Sequence, residues 1–317
     1  MYKICSERKK DDMEMRKIYS TTLLELMKKD ERIVALEADL MGSMSTDIIQ
    51  KELPGRIING GIMEGHIAGM AGGMSIAGKI PFFHTFTAFA SRRCFDQLFM
   101  SISYQKNNVK IIASDAGITA VHNGGTHMSF EDMGIVRGLA GAVVLEVTDG
   151  VMFKNIIEQV AETEGFHWIR TMRKNAEKIY EDGSVFEIGK GNVVKDGSDI
   201  TLIANGIMVS EALKAADMLK EKGYNAAVID MFTLKPIDKD LIIKYAEKTG
   251  KIVTCENHSI HNGLGSAVAE VLAENYPVKM RRVGVKERYG QVGTLDYLMK
   301  EYELTAEDIC KNALELL

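Results

Sequence analysis

Along the whole chain, short apolar runs alternate with longer segments of helical period, and this alternation constrains the fold before any motif is read. A run buried on both faces belongs in a parallel strand, and parallel neighbours require a crossover helix between them. Strands are expected at Ile33–Glu37, Arg56–Asn59, Ile80–His84, Val109–Ser114, Ala142–Glu146 and His167–Thr171, with helices beginning near Asp11, Thr46, Met63, Phe89, Ser129 and Gly150. A second unit repeats the scheme with strands at Ile200–Ala204, Ala226–Asp230, Ile252–Glu256 and Lys279–Val285. Its helices are expected at Val209–Lys222, Asp238–Thr249 and Leu264–Asn275, with two short ones after Thr294. From Lys174 to Ser198 the period fails, and this polar, Gly-containing stretch reads as a linker with room for a small hairpin. The expected class is α/β, as two doubly wound, mostly parallel-sheet domains at residues 1–185 and 186–317.

Composition bounds the function. With 46% hydrophobic and 26% charged residues, the chain can bury one or two large cores. A net charge of -5 argues against a nucleic-acid or anionic-membrane partner. Cys5, Cys94, Cys255 and Cys310 lie far apart and form no CxxC pair, so neither a disulfide framework nor a zinc site is indicated. The charged N-terminal stretch carries no apolar leader, and a cytoplasmic setting is the expectation. Ile67–Gly78 is apolar but far shorter than the roughly 18 residues a membrane span needs, and Glu64, His66 and Lys79 close it off. Each helical glycine between Gly60 and Gly78 costs on the order of 1 kcal/mol, so a closely packed neighbour, expected near a subunit interface, must justify them.

Several residues could carry chemistry. Glu64 opens the Gly-rich helix between apolar Ile62 and Met63 and a run of small residues, which implies a desolvated carboxylate in need of a partner. The plainer alternative is an acidic first-turn residue favoured by the helix dipole. Phe86 and Phe89 sit three apart where a strand turns into a helix, and either line a site mouth or pack in the core. Arg92 and Arg93 follow and read equally well as solvated helix charges. After Val109–Ser114 comes a loop holding Asp115, His122, Asn123, Gly124, Gly125, Thr126 and His127, placed where open α/β sheets bind ligands. Two histidines without a third ligand do not predict a metal site; proton transfer or hydrogen bonding to a polyol suits them.

These segments together resemble a known family. IMEGHIAGM resembles the IREHAMG segment of transketolases, HTFTAF their TFxxF, GGTHMSFED their GPTHQPIE loop, and EADL their SADL stretch. CENHSIHNGLGSAVAE is similar to the C-terminal domain shared by transketolases, deoxyxylulose-phosphate synthases and beta subunits of 2-oxoacid dehydrogenases. The resemblance covers essentially the whole chain and implies the pyrimidine-binding plus C-terminal half of a thiamine diphosphate enzyme. It assigns Glu64 as the carboxylate that activates the aminopyrimidine and Phe89 as the stacking ring, with Phe86, Met63, Asp39 and Arg92 completing the cofactor side. His127 inherits a catalytic, substrate-contacting role beside Glu64. Arg16, Ser43, Asp115, His122, Asn123 and Arg173 fall on the substrate side, with Arg170 competing with Arg173 for a sugar phosphate. Two positions depart from the pattern: Asp115 stands where transketolases have a histidine touching the donor carbonyl, and Arg92 where they have an aromatic residue.

The family's GDG...N stretch for magnesium and diphosphate is absent from the sequence. The resemblance therefore implies the C-terminal section of a split transketolase, with no metal ligands of its own. An N-terminal subunit would bind the diphosphate and Mg, and the pair would form a heterotetramer. The expected activity is two-carbon ketol transfer between phosphorylated sugars. Self-association as a dimer is expected through the Gly-rich helix and an exposed Phe86–Phe89 edge. The alternatives are a half-enzyme of the deoxyxylulose-phosphate-synthase or 2-oxoacid-dehydrogenase kind acting on pyruvate or another 2-oxoacid, and a non-catalytic assembly subunit.

Overall fold

The computed structural model describes residues 1–317. Its first part runs β1 (Ile4–Lys10), α1 (Met15–Lys29), β2 (Ile33–Glu37), α2 (Met41–Met44), α3 (Asp47–Glu52), β3 (Ile57–Asn59), α4 (Glu64–Ile76), β4 (Ile80–Phe86), α5 (Thr87–Arg92) and α6 (Phe95–Gln97). A π-helical turn (Leu98–Ser103), β5 (Lys110–Ser114), a 3-10 segment (Gly117–Asn123), α7 (Asp132–Arg137), β6 (Val143–Glu146), α8 (Gly150–Glu162) and β7 (His167–Arg170) complete it. Then follow β8 (Glu177–Tyr180), β9 (Asn192–Lys195), β10 (Ile200–Ala204), α9 (Met208–Glu221), β11 (Ala226–Asp230), β12 (Thr233–Lys235), α10 (Lys239–Thr249), β13 (Lys251–Ser259), α11 (Leu264–Asn275), β14 (Lys279–Val285), α12 (Leu295–Glu301) and α13 (Ala306–Leu314).

The six strands expected in the first unit form one parallel array in the order β6-β7-β5-β4-β2-β3. β2, β4 and β5 are buried along their whole length, as expected of mainly apolar strands covered on both faces. In the second unit β14, β13, β10 and β11 are parallel neighbours, again as expected. Asp238 caps α10, its Oδ1 accepting from Leu241 N at 3.1 Å.

Three features differ from the sequence reading. The linker forms no hairpin: β8 pairs antiparallel with β1, and β9 pairs antiparallel with β11, so each closes an edge that would otherwise be open. Thr233–Lys235, from the second unit, is a seventh strand that pairs antiparallel with β6 of the first sheet. Three residues ending at a proline are too short to show a strand period. The Gly-rich helix meets a close neighbour in the same chain that the sequence does not disclose. A Cβ on Gly72 would stand 2.4 Å from the Ser101 carbonyl oxygen of the π-helical turn. No helix is long and apolar enough to cross a membrane.

Candidate active site

The carboxyl ends of β2, β4, β5 and β7 deliver Asp39, Phe86, Asp115 and Arg173 to one edge of the first sheet, the edge at which open α/β sheets hold ligands. β4 passes into α5 without a loop, so Phe86 flanks the helix that carries Phe89, and the two ring centroids are 5.8 Å apart. The His127 ring joins them, 5.0 Å from Phe89 and 5.8 Å from Phe86. Phe86 is buried, which corrects the expectation of an exposed Phe86–Phe89 edge. Burial, reinforced by the nearby Arg93 charge, lowers the His127 pKa. The imidazole is therefore neutral near neutral pH, with one nitrogen able to donate and the other to accept.

Glu64 is the first residue of α4 and is 4% exposed. Ile62 and Met63 are themselves exposed, at 69% and 54%. The partner that a buried carboxylate needs is Arg93, whose Nη1 donates to Glu64 Oε1 at 2.8 Å. The Arg93 guanidinium carbon lies 3.8 Å from the centroid of the Phe89 ring. Arg92 is turned to other work. It donates to the carbonyls of Thr126 at 3.2 Å and Met128 at 3.3 Å and pairs with Glu131, bracing the His127 loop.

Asp115 follows β5 with φ 56°, a left-handed conformation that a non-glycine residue adopts at a cost. Its carboxylate is buried, with Oδ1 accepting from Arg173 Nε at 2.8 Å and Oδ2 unpartnered. Burial raises the Asp115 pKa, and the Arg173 charge opposes that rise. The Arg173 guanidinium stands 5.0 Å over the Phe86 ring. Arg16 is adjacent: its backbone donates to the Arg173 carbonyl at 3.2 Å, and its side chain pairs with Glu14 at 2.6 Å. Arg170 is fully buried between Asp132 at 2.9 Å and Glu146 at 2.6 Å, so Arg173 is the arginine at the site rim.

Besides Met63, four of the expected residues are joined to this group by no hydrogen bond or ring contact. Asp39, with φ 60°, is exposed and bonded to Asn59, and Ser43 is half-buried in α2. His122 and Asn123 are exposed at the end of the 3-10 segment. No group of three or more His, Cys, Asp or Glu side chains is arranged to hold a metal ion. A cleft of about 590 Å³ between α1 and α8, lined by Asp11, Thr22 and Lys154 among others, contains none of these residues.

Three residues in or beneath the site escape sequence reasoning. Arg93 is indistinguishable from a solvated charge until Glu64 is placed beside it. His84 bridges Glu37 Oε2 and Ser114 Oγ, each at 2.9 Å, in a buried chain across β2, β4 and β5 that Thr46 extends at 2.7 Å to Glu37 Oε1. Polar residues at or near the carboxyl ends of three otherwise apolar strands are the available signal. Asn257 of β13 accepts from Ile118 N and donates to Ala116 O, both at 2.9 Å, so the second unit holds the start of the site loop.

Comparison with known proteins identifies the family. The family profile "Transketolase, pyrimidine binding domain" matches residues 11–178, and "Transketolase, C-terminal domain" matches 189–309. The chain is 45% identical over 310 residues to the 6-deoxy-6-sulfo-D-fructose transketolase subunit SqwH of Clostridium sp. (strain MSTE9), covering 98% of this chain and 96% of that one. It is 36% identical to an apulose-4-phosphate transketolase subunit of Phocaeicola vulgatus, covering 95% of this chain and 96% of that one. A solved structure described as a split gene transketolase, inactive beta4 tetramer, superposes with a TM-score of 0.88 at 40% identity, covering 97% of this chain and 99% of that chain. With both domains matched in order and relatives of nearly equal extent, the protein belongs to the transketolase family, as the C-terminal section of its split members.

Proposed function

We propose that this chain is the C-terminal subunit of a two-subunit thiamine diphosphate enzyme that moves a two-carbon ketol unit from a ketose to an aldose, each bearing an anion at its far end. The observation that carries the reading is the convergence of a buried carboxylate, an aromatic face and a neutral histidine, in Glu64, Phe89 and His127, at the carboxyl edge of a parallel sheet. These residues fit the aromatic end of the cofactor. Glu64 Oε2 takes no hydrogen bond from the protein, and Phe86 and Phe89 form an apolar shelf. When bound, the cofactor supplies an acidic thiazolium carbon and an electron sink for the ketol unit.

The remaining roles belong to the chain's own side chains. Glu64 holds the ring nitrogen's proton, and the phenylalanines keep water from the ring. His127 exchanges a hydrogen bond with a substrate oxygen. Arg173, anchored at Nε by Asp115, has both Nη groups free of protein hydrogen bonds and presents them to the anionic end. The names of the two relatives, one for a sulfo sugar and one for a sugar phosphate, support an anionic substrate. Asp39, Ser43, His122, Asn123 and Arg16 complete the outer contacts, with the domain boundary at residue 185.

The diphosphate and Mg then fall to an N-terminal partner subunit. Self-association as a dimer is assigned to the exposed apolar side chains Ile76, Phe95, Phe99 and Met100 around α4 and α6. Reconstitution with the partner, thiamine diphosphate and Mg tests the reading. Ketol transfer from a ketose phosphate is expected, and turnover of pyruvate alone would overturn it in favour of a 2-oxoacid enzyme.

A further inference from the structure

Arg93 occupies the gap between the two residues assigned to the cofactor's ring. Its Nη1 bonds Glu64 Oε1 at 2.8 Å while its guanidinium lies 3.8 Å over Phe89. A guanidinium is a flat cation with donors along its edge, so it can stack on an aromatic face and bond a carboxylate at the same time. An aminopyrimidine offers the same two features, a flat π face and polar groups on its edge. Phe89 is already engaged elsewhere by an edge contact with His127 and a tilted contact with Phe86, and Arg93 covers a ring face beside Glu64. The Arg93 side chain makes no other hydrogen bond and is 48% exposed, so its long stem can swing outward without breaking a second polar contact.

We propose that Arg93 is a side-chain plug. It holds the ring slot and keeps the buried Glu64 paired until the cofactor's ring enters and displaces it. Cofactor affinity is then the difference between the ring's contacts and those Arg93 gives up. This inference rests on the cofactor reading above and goes beyond it in assigning a residue that opposes binding.

The test measures the dissociation constant of thiamine diphosphate, with Mg, for the chain assembled with its diphosphate-binding partner, comparing wild type, Arg93→Ala and Arg93→Lys by calorimetry. Loss of one ion pair and one cation–π contact from the empty site predicts affinity about tenfold tighter for Arg93→Ala. Arg93→Lys keeps the charge but not the flat fork, and falls between the two. Stopped-flow association should also be faster for Arg93→Ala. Equal or weaker binding by Arg93→Ala would overturn the plug, because Arg93 would then be neutral or supportive in the bound state. Failure of wild type and variants alike to bind the cofactor would overturn the cofactor reading itself, so the two failures are told apart.

Discussion

Gly117 and Asn257, one from each half of the chain, lie so close that a Cβ on Gly117 would stand 2.2 Å from the Asn257 amide oxygen. Gly117 also has φ 53°, where side chains are disfavoured. Around this contact Asn257 satisfies the Ile118 N–H and the Ala116 carbonyl, so the loop that begins at Asp115 is positioned by a residue from the far half of the sequence.

Replacing Asn257 with Ala should leave both backbone groups unsatisfied. The expected loss is about 1–3 kcal/mol of stability, with a raised KM for the sugar. Thermal unfolding and steady-state kinetics of the assembled enzyme check this. An unchanged KM alongside lost stability would show that the contact serves only the domain junction.

Glu64→Gln should leave the fold intact and lower turnover by at least about 100-fold, the scale of a lost acid/base contribution. Circular dichroism and a ketol-transfer assay measure the two parts separately. Near-normal turnover would remove Glu64 from the mechanism.

Arg173→Lys should raise the KM for substrates with an anionic end by about tenfold, while a ketose lacking that anion is handled as before. Arg16→Lys should do less, because the Arg16 guanidinium is already paired with Glu14. Equal losses for charged and uncharged ketoses would mark both arginines as structural.

The acid limb of stability should depend on His167. Burial, then the charge of Lys110 with Nζ 3.0 Å from His167 Nδ1, lowers its pKa to about 3 from an ordinary 6.5. The unfolded chain thus binds this proton more readily, so the contribution is complete above pH 6.5 and is lost as pH falls towards 3. By about pH 4 the loss is on the order of 3 kcal/mol. His167→Asn should flatten that slope in denaturant titrations between about pH 4 and 7, and an unchanged slope would place the acid sensitivity elsewhere.

What the sequence discloses depends on how local the signal is. β2, β4 and β5 are mainly apolar runs, and the cap at Asp238 is a short-range pattern, so both can be read directly. The partnership of β8 with β1, and of Thr233–Lys235 with β6, is a matter of which edges are left open, and no local period records it. Among site residues, Glu64, Phe86, Phe89 and His127 stand within segments similar to a family pattern. Arg93 does not, because its meaning depends on a carboxylate 29 positions earlier. The choice between Arg170 and Arg173 turns on burial: one lies in the interior among carboxylates, the other at the rim, and their closeness in sequence cannot show which.

The strand Thr233–Lys235 bears on biosynthesis. As the polypeptide leaves the ribosome, the first sheet can assemble up to β7 while the outer side of β6 still lacks its antiparallel neighbour, which belongs to a much later stretch of the chain. Throughout that interval a bare row of amides and carbonyls is open to pairing with another nascent chain. An expression fragment ending near residue 185 would keep that exposure permanently, so recombinant work on this half is best carried out with the second half attached.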